Sequence, residues 1–199
     1  MTSRVSSDGG SVRQASARGP VLRIFFALVP DATVRDSLAA LAHDVARETG
    51  GRAPRDENVH LTLAFLGNVP RDRLDELTAI GAAVAAAEAP FPLTLDTIGA
   101  FRDARVAWAG PAVTPAGLER AFARLRVLLQ AAGLPTERRP FNPHVTLARH
   151  CVRPPHRGAM DQIAWRVESI ALMASETLAA GPRYAVLASW PLAGAMPLP

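Results

Sequence analysis

Two short segments of this 199-residue chain nearly repeat each other: Asn58-Val-His60-Leu-Thr62-Leu-Ala64-Phe65 and Asn142-Pro-His144-Val-Thr146-Leu-Ala148-Arg149. Asn, His, Thr, Leu and Ala agree at matching positions. A single His-x-Thr is weak as a motif, but two in a shared context are far more specific. In an extended strand, residues i and i+2 share a face. His60, Thr62 and Ala64 are therefore expected on one face, with Leu61, Leu63 and Phe65 turned into a core. The second copy is expected to turn Val145 and Leu147 inward, and Pro143 biases Asn142 toward an extended entry.

The surrounding pattern repeats as well. Val21–Val29 reads as a buried strand. A helix follows with Asp31 as its N-cap and Val34, Leu38, Leu41 and Val45 on its apolar face, and Gly50-Gly51 ends it. The first motif strand spans Asn58–Leu66, a helix covers 71–88 and a strand covers Leu93–Ile98. A short strand at Arg105–Ala109 restarts the sequence. Thr114-Pro115 is read as the next helix start. Leu118, Phe122, Leu125 and Leu129 form that helix's stripe, Gly133 stops it, and the strand His144–Arg149 follows. Residues 150–162 read as a loop, with two last strands near 164–174 and 183–190. Phe25 stands 35 positions before His60, and Trp108 stands 36 before His144. That spacing predicts a duplicated chain of two similar lobes, each supplying one motif and facing the other across a cleft. Residues 1–20 are expected to be a disordered tail. Residues 21–192 are expected to form one domain, with lobes at roughly 21–99 and 100–190.

Composition narrows the class. All 22 basic residues are Arg, and the net charge is +4. Arg52 and Arg55 precede the first motif. Arg138 and Arg139 precede the second, and Arg149, Arg153 and Arg157 follow it. Arginine binds phosphate in bidentate fashion, so this clustering points to a positive mouth for an anion. Each of these residues can equally be a solvated surface charge. The apolar runs fall short of the ~20 residues of a membrane span, and residues 1–20 lack the apolar core of a signal peptide. The single cysteine, Cys151, excludes an internal disulfide and fits a reducing cytoplasm. His43, His150 and His156 lie outside the motifs, and the His and Cys spacings match no zinc-ligand pattern. No metal or cofactor is expected.

Two imidazoles and two hydroxyls around one phosphorus suit hydrolysis of a cyclic phosphodiester. One histidine activates water and the other protonates the leaving oxygen. The threonine hydroxyls donate to the non-bridging oxygens. The near-symmetric motifs leave open which histidine does which.

At these residues the chain resembles the two-histidine phosphoesterase superfamily, and within it the RNA 2′,3′-cyclic phosphodiesterases, also called 2′-5′ RNA ligases. The likeness runs from about Val21 to Trp190 through RIFFAL, NVHLTLAFLGNV and RRPFNPHVTLAR. It implies a bilobal, duplicated α+β fold, with two antiparallel-rich sheets flanking a central cleft and helices outside. It implies opening of a 2′,3′-cyclic phosphate at an RNA end to a 2′-phosphate, with His60 as proton donor, His144 as proton acceptor, and Thr62 and Thr146 as phosphate ligands. It implies that Arg149 binds phosphate, which requires a strand end or bend, since strict alternation turns Arg149 away from His144. Phe26 has two readings, a base-stacking ring or a core side chain. RNA is the implied partner, and a monomer is expected. Competing readings are the reverse ligation, a small-nucleotide cyclic phosphodiesterase, and an RNA-binding module without turnover.

Overall fold

In a computed structural model, the described residues are 20–137, 139–156, 158–178 and 181–193. The expected tail lies outside them apart from Pro20, as do Arg138 and Arg157. Among the described residues, eight strands form one antiparallel sheet. In chain order the elements are β1 (Val21–Leu28), α1 (Ala32–Thr49), β2 (Leu61–Pro70), α2 (Leu74–Ala87), β3 (Phe91–Phe101), β4 (Val106–Gly110), α3 (Ala116–Ala131), β5 (Val145–Ala148), β6 (Gly158–Val167), β7 (Ser169–Leu178) and β8 (Gly181–Pro191).

The caps follow local chemistry. The Asp31 carboxylate accepts from Val34 N–H at 2.9 Å, and Gly50 closes α1 in the left-handed region at φ 66°. α3 starts one residue later than expected. Pro115 is its N-cap, with no side-chain cap, and the Pro115 carbonyl takes the first helical N–H groups.

The sheet order is β6-β3-β4-β5-β2-β1-β7-β8. This order is symmetric about the β5–β2 junction, so the duplication seen in the sequence becomes two four-stranded halves. The expectation of two separate sheets gives way to one continuous sheet, because β2 and β5 pair at Leu61 opposite Val145. Neither half is contiguous in sequence. β3, which lies before residue 100 for most of its length, pairs with β4 and β6. β7 and β8 return from the C-terminal side to join β1.

The helices cover the apolar face of the sheet: α1 packs on β5 and β6, and α3 on β2 and β3. The main core gathers Ile24, Leu28, Leu61, Leu63, Leu125 and Leu129, and a second cluster places Leu147 and Ala148 under α1. Phe26 belongs to the main core: its ring is fully buried and lies 6.4 Å from Trp190. Of the two readings for Phe26, the base-stacking one is therefore corrected. A ring with no exposed surface cannot meet a base.

Candidate active site

Both motif histidines stand at the entrance of a strand, one residue before β2 and one before β5. Leu61 and Val145, the next residues, are the pair that joins the two halves. Continuing that antiparallel register places His60 across from Thr146, and Thr62 across from His144. All four line a single cleft of about 1100 Å3, together with Arg149.

The same hydrogen bond orients each ring. His60 Nδ1–H donates to the Asn58 carbonyl at 2.6 Å, and His144 Nδ1–H donates to the Asn142 carbonyl at 2.7 Å. That contact fixes the tautomer and leaves Nε2 for chemistry. Thr62 Oγ1 lies 3.1 Å from His60 Nε2. The Asn58 side chain is buried and donates from Nδ2 to the Pro182 carbonyl at 2.8 Å, tying the first motif to the start of β8.

Aromatic rings wall both imidazoles. His60 has Phe25 at 5.0 Å and Tyr184 edge-on at 5.1 Å. His144 has Phe101 edge-on at 4.9 Å and Trp108 at 6.3 Å. Burial in these walls is the main force holding both pKa values below the usual histidine value. The hydrogen bonds to the Asn58 and Asn142 carbonyls oppose it, and the Arg149 charge adds to it at both rings.

The bend that Arg149 requires is present. Trp108 pairs with Thr146 and Ala107 with Ala148, so Leu147 is an extra residue in β5. This β-bulge resets the alternation. Leu147 and Ala148 are both buried, and Arg149 returns to the cleft, where its Nη2 lies 3.5 Å from Thr146 Oγ1. Beyond Ala148 the backbone of Arg149 bridges to Arg52, and His150 turns at φ 57°. β2 carries the matching bulge at Leu63, between the pairs Ala27–Thr62 and Phe26–Ala64. Phe65, expected in the core, is instead 37% exposed and lines the cleft, while Ala64 leans against the core. The register also makes Ala27, rather than Phe25, the counterpart of Trp108.

Of the arginines near the motifs, Arg139 and Arg149 line the cleft; Arg23, Arg102 and Arg126 line it as well and were not anticipated. Arg153 instead binds the Glu48 carbonyl at the end of α1, and Arg55 pairs with Glu57. The aromatic walls were also missed. Phe25 adjoins Phe26, and strand parity separates the two. Among the described residues, no group of three or more His, Cys, Asp or Glu side chains is placed to hold a metal ion.

The family description "LigT like Phosphoesterase" matches this chain twice, at residues 28–108 and 110–184. The chain belongs to the LigT-like phosphoesterase family. Each match contains one His-x-Thr motif, as the duplication requires. An Escherichia coli relative named RNA 2′,3′-cyclic phosphodiesterase is 32% identical over 173 residues, covering 85% of this chain and 96% of that protein. A Thermus thermophilus relative of the same name is 33% identical over 181 residues, covering 87% and 91%. Among solved structures, E. coli LigT complexed with 3′-AMP superposes with a TM-score of 0.76 at 30% identity, over 87% of this chain and 99% of that one. As a LigT-like phosphoesterase, the chain has its two motifs where the family matches fall, on the cleft face of the paired strands.

Proposed function

We propose that this LigT-like phosphoesterase hydrolyses the 2′,3′-cyclic phosphate at RNA 3′ ends, leaving a 2′-phosphate. The observation that carries the reading is the arrangement of two tautomer-fixed histidines and two threonines around one cleft, in a chain whose relatives carry that activity in their names. His144 Nε2 takes a proton from water as the water oxygen bonds to phosphorus. The bond from phosphorus to O3′ breaks, and protonated His60 gives its Nε2 proton to O3′. This choice of donor and acceptor follows the family likeness. Thr62, Thr146 and Arg149 hold the non-bridging oxygens, where charge is stabilised in the transition state.

Burial favours neutral rings in the free protein, so the donor must be loaded. A bound phosphate anion beside His60 raises its pKa, so protonation accompanies binding. The two halves of the sheet act as the two lobes of the site. Because one chain supplies every group named, a monomer suffices. No helix among the described residues is long and apolar enough to cross a membrane, and one buried thiol, Cys151, suits a reducing cytoplasm.

The test compares wild type with His60→Ala and His144→Ala on an RNA ending in a 2′,3′-cyclic phosphate, in the presence of EDTA. Turnover by wild type, lost in both variants while RNA binding persists, supports the reading. A wild-type protein that binds RNA but leaves every cyclic phosphate intact would make it a binding module instead.

A further inference from the structure

The cleft extends past the histidines to α3. Leu118, Leu125 and Leu129 of the α3 stripe have no exposed surface, but Phe122 is only half-buried and lines the cleft. Its ring lies flat on Phe141, with centroids 3.9 Å apart and planes 7° from parallel. One helical turn further on, the Arg126 guanidinium sits 5.9 Å from the Phe122 ring centre. Arg139 lines the same cleft, with its Nη2 3.7 Å from the Glu137 carboxylate. Phe141 precedes His144 by three residues, so its Cα lies within roughly 11 Å of that histidine's. The cleft, at about 1100 Å3, exceeds the usual ~300–1000 Å3 of a small-molecule site. It has room for more than the terminal nucleotide.

We infer that the Phe122–Phe141 stack with Arg126 is a subsite for the nucleotide just upstream of the cyclic phosphate. This rests on the proposed RNA-end activity and extends it. Paired rings with an arginine beside them offer a base a sequence-tolerant stacking surface. Arg126 and Arg139 offer positive charge to the connecting phosphodiester. The subsite therefore selects oligonucleotides over mononucleotides without reading base identity.

The experiment compares kcat/KM on uridine 2′,3′-cyclic phosphate with that on a trinucleotide ending in the same group. Wild type is expected to prefer the trinucleotide. Phe122→Ala should lower kcat/KM on the trinucleotide about five- to hundred-fold, through KM, and change the mononucleotide less than twofold. Phe122→Leu, which keeps most of the volume, should keep the wild-type melting temperature and still lose the preference. Arg126→Gln should weaken the trinucleotide preference and its dependence on salt. Equal wild-type rates on the two substrates, or equal losses on both in Phe122→Leu, would overturn the subsite while leaving the RNA-end activity standing. Inertness toward both substrates would overturn the activity and the subsite together.

Discussion

Leu61 and Val145 pair across the junction of the two half-sheets, and each directly follows a motif histidine. Both are almost fully buried, so the core fixes the contact that brings the two motifs together. Because the strands run antiparallel, continuing the register from that pair sets His60 across from Thr146 and Thr62 across from His144. Truncation at the junction should therefore damage function as well as stability. Leu61→Ala is expected to cost about 2–5 kcal/mol by cavity formation, read by denaturant unfolding. It should also reduce kcat under conditions where the variant is still fully folded.

The lowered pKa values of His60 and His144 set the pH dependence. The proposed mechanism needs one ring protonated and the other neutral, so kcat/KM is expected to be bell-shaped and centred between the two free-enzyme values. Both lie below the usual ~6.5, which places the maximum on the acid side of that value. Arg149→Gln removes a charge that lowers both, and the maximum should move to higher pH as activity falls. A pH–rate profile of each protein checks this, and a variant maximum at lower pH would count against it.

The same burial couples to folding. Below about 6.5 the unfolded chain takes up protons that the folded rings resist. The stability present above that pH is lost as pH falls through it toward the lower folded values. Replacing both His60 and His144 by Asn removes these titrations. Melting temperature followed from pH 8 down to pH 5 should therefore fall less steeply in the double variant than in wild type.

Each threonine is assigned a hydroxyl donor role. Thr62→Val and Thr146→Val keep shape and remove the donor, so kcat should fall about 10²–10³-fold in each. Thr→Ser at either position should retain most of the rate. Steady-state kinetics on a cyclic-phosphate RNA decides. A valine variant with unchanged kcat would remove that residue from the chemistry.

Gly81 of α2 lies against Trp190. A Cβ there would meet the indole at 2.2 Å. Gly81→Ala is expected to destabilise by about 1–3 kcal/mol through overpacking, lowering the melting temperature by roughly 2–12 °C. Calorimetry measures it directly.

The duplication, the α+β class, the motif pair and the caps of α1 were readable in the sequence because each depends on local spacing or local chemistry. The bulges at Leu63 and Leu147 were not. An inserted residue shows only against a partner strand, and these two insertions reverse the expected faces of Phe65 and Arg149. Phe25 and Phe26 illustrate the same limit. Adjacent identical residues carry no parity, and only pairing with β2 and β7 separates the ring at His60 from the ring in the core. The joining of two expected sheets into one rests on the Leu61–Val145 pair, a long-range contact that periodicity cannot reveal.

The most direct measurement follows an RNA ending in a 2′,3′-cyclic phosphate by 31P NMR as wild-type protein acts on it. The two-histidine mechanism predicts loss of the cyclic signal and appearance of a 2′-monophosphate, with neither change when His144 is replaced by alanine. A 3′-monophosphate product, or a cyclic signal that persists with wild-type protein, would contradict it.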